Sequence, residues 1–332
     1  MPEEAISFPL SSGISIPDTF YRSGSDDVAT QQRSRSRWKK TLTGYSFIAP
    51  WLIGFIVFTG GPLLFSLYVS FTNYDVTSRM DWVGLDNFKR MFNSDPLFWK
   101  SVYNTLWYVF IGVPFSTVGA ILLSTLLSQK VWGAGFFRML FYMPTVLSGV
   151  AVYTLWMQML GPSTGLVNTI LRFFGIDGPA WLSDPAWTKP ALVLMRLWSL
   201  GTSMMLYLSA MHSVPEQLYE AAEIDGAGRV RRFFIITLPM ISPIIFFDII
   251  VSMIGAFQVF QEAYVMSKDN QGGPASSLLF YNLHLFNQAF TNFNMGYAAA
   301  MAWFLFLIVM AITLVNMAVS KYWVHYEGGD KR

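Results

Sequence analysis

Residues 214–240 read VPEQLYEAAEIDGAGRVRRFFIITLPM, and the way this stretch sits in the chain decides the fold. It is too polar to lie in lipid, yet long apolar runs flank it on both sides. Ser213 and Glu216 have the spacing of a capping box and Pro215 suits a first helical turn, so a short helix is expected to begin there. Gly226 should end that helix. Ala221 and Ala222 are adjacent and small, which lets one helix face approach another protein closely, while Glu220 and Glu223 offer charges for docking. A second amphipathic segment runs from Arg229 to Ile236 and meets Pro239, where the next apolar run starts. The local chemistry reads as a short helix-turn-helix lying on a membrane surface, though by itself it fits a well-capped solvated loop equally well.

Working outward, composition explains the apolar flanks. Hydrophobic residues make up 53% of the 332 residues and charged residues only 13%, against roughly 25% charged in soluble domains. Such a surplus of apolar surface needs lipid to cover it. The net charge of +2, with its basic residues sorted by loop, excludes a nucleic-acid binder. With no cysteine there is no disulfide framework, thiolate metal site or cysteine nucleophile. His212, His284 and His325 are scattered, so no metal site is expected. No His, Asp and Glu constellation recurs at one depth, so catalysis is not expected from this chain.

A membrane-crossing helix needs about 20 mainly apolar residues, because each adds about 1.5 Å to a path of about 30 Å. Six runs meet that test: Tyr45 to Phe71, Val102 to Leu127, Phe136 to Leu160, Pro190 to Met211, Ile241 to Met266 and Met295 to Val319. Lys and Arg gather in short cytoplasmic loops. Placing the N-terminus inside puts Arg33, Arg35, Arg37, Lys39, Lys40, Arg229, Arg231 and Arg232 on that side and gives it about twice as many basic residues as the outer segments. Both termini are therefore expected to be cytoplasmic. Residues 1–42, rich in Ser, Thr, Asp and Gln, read as a disordered tail; 43–325 form the six-helix domain, with its loop at 213–239, and 326–332 are a short C-terminal tail.

Glu220-Ala221-Ala222, then Gly226, then Ile236-Thr237-Leu238-Pro239 resemble the EAA loop of the permeases of binding-protein-dependent ABC importers. Ala49-Pro50, Phe71-Thr72-Asn73-Tyr74, Gly272-Gly273-Pro274 and Gly296-Tyr297-Ala298-Ala299-Ala300 are similar to the carbohydrate-uptake branch, of the maltose and glycerol-phosphate permease type. The resemblance implies an all-α polytopic membrane protein, a six-transmembrane-helix type I importer permease with a cytoplasmic coupling helix. It implies that Glu220, Ala221, Ala222, Asp225, Gly226, Arg229, Ile236, Leu238 and Pro239 couple the spans to an ATPase. The implied partners are a second, homologous permease subunit, two ATPase subunits, an extracytoplasmic solute-binding protein, lipid and a carbohydrate cargo. No Walker A sequence ending in Gly-Lys-Ser/Thr occurs, so ATP and Mg are expected on the separate ATPase subunits and no cofactor on this chain.

Polar residues inside spans are costly and mark candidate transport paths. Arg196 is the strongest outlier, followed by Trp198, Ser199 and Thr202. A sugar needs hydrogen-bonding groups beside an aromatic platform, which Trp198 and Ser199 offer. On the fifth span Ser252, Gly255, Ala256 and Val259 recur at helical spacing, with Gln258 beside them. The resemblance implies sugar contact at Trp198, Ser199, Thr202, Ser252, Ala256 and Val259, although Ala256 and Val259 stand where the maltose-type subunit is polar, which argues for another carbohydrate. Small residues on this face fit helix packing as well. Arg196 fits three roles: pairing with a carboxylate of the partner permease, pairing with Asp248, or neutralising an anionic cargo. Gln261 and Glu262 fit either the path or a contact with the solute-binding protein. A non-carbohydrate cargo is the nearest competing reading, and a secondary transporter, which has no use for Glu220 to Pro239, is remote.

Overall fold

In a computed structural model the residues described are 45–77, 80–129, 132–267 and 272–325; the two expected tails, residues 1–42 and 326–332, fall outside them. Helices account for nearly every ordered element, and among the described residues the pairing of Thr72 with Trp82 is an isolated antiparallel bridge. The chain divides into two units, one ending at Phe65 and the other beginning at Ser66. The first supplies most of α1 (Tyr45–Val69), a continuous apolar helix with one wide π turn at Ile56–Gly60.

The second unit is built around α3 (Pro96–Ser128), which follows the short α2 (Asp86–Asn93). Then come α4 (Ala134–Tyr142), α5 (Gly149–Met159), α6 (Leu166–Phe173), α7 (Thr188–Trp198) and α8 (Gly201–His212). The loop contributes α9 (Glu216–Ile224) and α10 (Arg229–Arg232). Beyond it lie α11 (Ser242–Phe257), α12 (Gln261–Met266), α13 (Tyr281–Phe286) and α14 (Met295–Ser320). Helix α3 is the axis: α7, α8, α11 and α13 all pack on it. Phe98, Tyr108, Leu192, Phe280 and Tyr281 fill the space between them.

Among the described residues four helices are long and apolar enough to cross a membrane, α1, α3, the α11–α12 run and α14, and the count reaches six if each of two bent pairs is one span. The expected third span, Phe136 to Leu160, bends by 106° between the segments Ala134–Val146 and Gly149–Met159. Pro144 sits in a tight 3₁₀ turn there, and Leu147 is extended, so the helical ladder stops. The expected fourth span, Pro190 to Met211, bends by 46° between α7 and α8. The second span begins earlier than Val102 because Asp95-Pro96 is a start signal: Pro96 needs no N–H, and Asp95 Oδ1 accepts from Leu97 N at 2.9 Å and Phe98 N at 3.2 Å.

Asp95 also fastens three helices together. Its Oδ2 accepts from His284 Nε2 and from the Tyr297 hydroxyl, each at 2.7 Å, tying the start of α3 to α13 and α14. Arg90 of α2 lies over the Tyr297 ring, 4.6 Å from its centroid. Burial pushes the Asp95 carboxyl up, but the hydrogen bonds from Tyr297 and His284, with the backbone bond from Leu97, outweigh it and hold the group below its ordinary 3.8. A lowered carboxyl pKa contributes stability above that ordinary value, lost as pH falls through the lower folded value, so the fastening persists through mildly acid conditions. Asp95→Ala removes a helix cap and strands two buried donors, and is expected to cost about 3 kcal/mol. Asp95→Asn keeps the capping oxygen and should cost less; melting temperatures of the purified protein in detergent will rank the two, and equal losses would refute the double role.

Candidate functional site

The loop of residues 213–239 folds as the expected pair of short helices, with one correction at its start. Ser213 does not cap α9: its Oγ donates back to the Ala210 carbonyl at 2.7 Å, and Pro215 takes the N-cap position with no side-chain cap bond. Because Pro215 ends α8's continuation and lacks an N–H, the preceding serine is left bonding the last turn of α8. The far end matches its sequence. Gly226 has φ +75°, the Gly226 N–H reaches the Glu223 carbonyl at 3.0 Å and the Ala227 N–H reaches the Ala222 carbonyl at 2.9 Å. That is the double bond pattern of a Schellman stop, in which a left-handed residue closes the helix.

Two side-chain bonds hold α9 against α10 and its continuation. Arg232 pairs with Glu223 at 2.8 Å, and the hydroxyls of Tyr219 and Thr237 meet at 2.8 Å. The chain then passes through a π turn at Phe233–Thr237 into Leu238–Met240, where Ile236, Leu238 and Pro239 are half-buried. The outward face of α9 is left open. Glu220, Ala221, Asp225 and Gly226 are exposed, as is Arg229 beyond the turn, while Ala222 is half-buried. Ile224, one turn beyond Glu220, is 88% exposed, so an apolar side chain stands beside the Glu220 carboxylate.

A polar cavity of about 270 Å³ lies between α3, α5, α7, α8, α11 and α12. The structure brings Arg196, Ser199 and Ser252 together on its wall. Arg196 Nε donates to Ser116 Oγ at 3.0 Å, and its Nη2 to the Ser252 carbonyl at 3.4 Å, with the Tyr108 ring centroid 5.8 Å from the guanidinium. Tyr108, Ser116, Tyr153, Ser203 and Glu262 complete the polar lining. Sequence reasoning did not place Tyr108, Ser116, Tyr153 or Ser203 here; Ser116 and Ser203 each stand beside a threonine, Thr117 and Thr202, with nothing in the sequence to say which of the two turns inward, and only the fold gathers them. Glu262 joins because α11 stops at Gln258 and α12 restarts at Gln261, turning its side chain inward toward the Tyr153 hydroxyl.

That same break overturns the expected helical face on the fifth span. Ala256 and Val259 are buried in the core, whereas Gly255 and Gln258 are exposed, so the four do not line one surface with Ser252. Trp198 and Thr202 lie outside the cavity on the exposed side of the α7–α8 bend, with Trp198 set edge-on to the buried Trp156 at 5.8 Å. Nor does Arg196 pair with Asp248. The buried Asp248 accepts from Ser203 Oγ at 2.8 Å and from the Tyr207 hydroxyl at 2.5 Å, which binds α8 to α11 just beyond the cavity. Among the described residues no cluster of His, Cys, Asp and Glu could hold a metal ion.

Relatives of this chain give the geometry a context. It is 43% identical over 302 residues to the probable ABC transporter permease protein YesP of Bacillus subtilis (strain 168), across 90% of this chain and 97% of that protein. It is 32% identical over 300 residues to the lactose transport system permease protein LacF of Rhizobium radiobacter, across 89% of this chain and 99% of that one. Among solved structures it matches a chain of a bacterial ABC transporter involved in the import of the acidic polysaccharide alginate. There the TM-score is 0.75 at 25% identity, over 87% of this chain and 98% of the other. No family model matches the chain.

Proposed function

This chain belongs to the ABC transporter permeases, and from that premise we propose that it is one membrane-spanning subunit of an ATP-driven carbohydrate importer. The observation that carries the reading is the braced helix α9, whose exposed Glu220, Ala221 and Ile224 have no cover within the described chain. An ATPase subunit that docks there can move α9, and α9 is joined through Pro215 to α8 and through Thr237 to α11. In this reading ATP and Mg are bound and used by two separate ATPase subunits, and this chain performs no chemistry. A second permease subunit faces it across the pathway, and an extracytoplasmic solute-binding protein delivers the cargo. Both termini and the α9 loop then lie in the cytoplasm, in agreement with the sorting of Lys and Arg. The relatives named for lactose and alginate support a carbohydrate cargo. So does the cavity, where hydroxyls, a carboxylate and the Tyr108 ring stand close together.

The expected result is uptake that needs every component. Proteoliposomes holding both permeases, the ATPases and the binding protein should accumulate solute only with ATP inside, and the permeases alone should move none. Uptake without ATP would defeat the importer reading. Mass spectrometry of the ligand retained by the purified binding protein should give a carbohydrate; an amino acid or peptide there would defeat the cargo assignment.

A further inference from the structure

The cavity wall carries a charge that the chain leaves unneutralised. Among the described residues the ion pairs are Lys89 with Asp86, Arg232 with Glu223 and His284 with Asp95, and Arg196 takes part in none. Its two hydrogen-bond acceptors, the Ser116 hydroxyl and the Ser252 carbonyl, are both neutral. They fix the direction of the guanidinium without cancelling its charge. Nε and Nη2 are committed and the Tyr108 side chain stands beside the same guanidinium, but none of these groups carries a charge, so the planar fork can still receive an anion. Asp248, a carboxylate within the adjoining span, is already taken up by Ser203 and Tyr207. An unpaired guanidinium within a membrane span is costly and persists where function repays it.

The other charge on the wall is Glu262, which faces the Tyr153 hydroxyl and forms no ion pair with Arg196. A carboxylate of this kind accepts from sugar hydroxyls, while a guanidinium matches an anion in bidentate fashion. We infer that this cavity takes a carbohydrate bearing an anionic group, which pairs with Arg196 while neighbouring hydroxyls donate to Glu262. The inference rests on the carbohydrate reading above and narrows it. A neutral sugar would satisfy Glu262 and leave the guanidinium as it stands.

The test uses the complete transporter in lipid nanodiscs, without the binding protein, so that the cavity alone selects. Trigalacturonate, its methyl ester and glucose 6-phosphate are titrated by calorimetry. The acid trimer should bind about tenfold or more tighter than its uncharged ester, since a bond to a charged group is worth more than one to a neutral group. Arg196→Gln should bring that ratio close to one while the ester keeps its affinity, and Arg196→Lys should retain part of the preference. Tighter binding of the sugar phosphate than of the acid trimer, also lost in Arg196→Gln, would support the inference and identify phosphate as the anion. Equal binding of acid and ester by the unaltered transporter, or a preference surviving in Arg196→Gln, would overturn it. Ester binding in that case leaves the carbohydrate reading intact, whereas failure of all three sugars to bind takes both down. Should Arg196→Gln not assemble, Ser116→Ala, which frees the guanidinium from one anchor, should weaken the acid preference severalfold; an unchanged preference overturns the inference.

Discussion

Glu220→Lys is expected to abolish solute-stimulated ATP hydrolysis by the reconstituted transporter, by more than about tenfold, because a docking carboxylate becomes a like charge facing its own partner. Glu220 suits that role better than its neighbour Glu223, which Arg232 already holds. Being exposed, it contributes little to the fold, so the melting temperature should stay near that of the unaltered protein. Glu220→Gln should give an intermediate rate. Stimulation that survives the charge reversal would mean that α9 does not meet the ATPase through this residue.

A large loss of stability is expected from Gly296→Val. The first turn of α14 lies directly against the segment after α1: the Gly296 N–H donates to the Tyr74 carbonyl at 2.8 Å, and a β-carbon there would fall on the Thr72 carbonyl oxygen and lie 3.2 Å from the Tyr74 nitrogen. Those atoms are backbone and cannot swing aside. Thr72 is further held by its own hydroxyl on the Val69 carbonyl at 2.8 Å, and its carbonyl receives Asn87 Nδ2 at 2.8 Å. Overpacking at such a place costs about 3 kcal/mol, the upper part of the usual range. The protein should be recovered in much lower yield and melt several degrees earlier in detergent, and Gly296→Ala should already show part of the loss. A variant that melts with the unaltered protein would show that the two segments are free to separate.

Residues that act through local chemistry were legible before the structure. Gly226 reads as a helix stop and stops one, while Thr72-Asn73-Tyr74 and Gly296, singled out by the family resemblance alone, meet in space. What stayed hidden depends on tertiary packing. The α7–α8 bend falls at Ser199 and Leu200 just before Gly201, but Gly112 and Gly119 sit inside the uninterrupted α3, so a lone glycine does not announce a bend; here Gly201 packs backbone to backbone on Phe141 and Tyr142. Apolar residues satisfy lipid equally well in a straight or a bent span, so hydropathy cannot report the angle. The break at Gln258 was likewise unmarked, and with it the inward turn of Glu262 and the loss of the Ser252-to-Val259 face. Asp95-Pro96 did signal the start of α3, yet the apolar count that placed the span ignores the polar first turn.

The bend at Leu200 divides the fourth span into two arms of unequal reach. Arg196 lies before it and Ser203 just after, while α8 runs on for about 18 Å to His212 beside the surface loop. Ser203 is only about 4.5 Å past the bend, so if α8 swung about it, a displacement of the loop would reach Ser203 reduced about fourfold, with the thrust enlarged in proportion. Under such a swing, a long, weak stroke at the rim would become a short, firm one at the cavity wall.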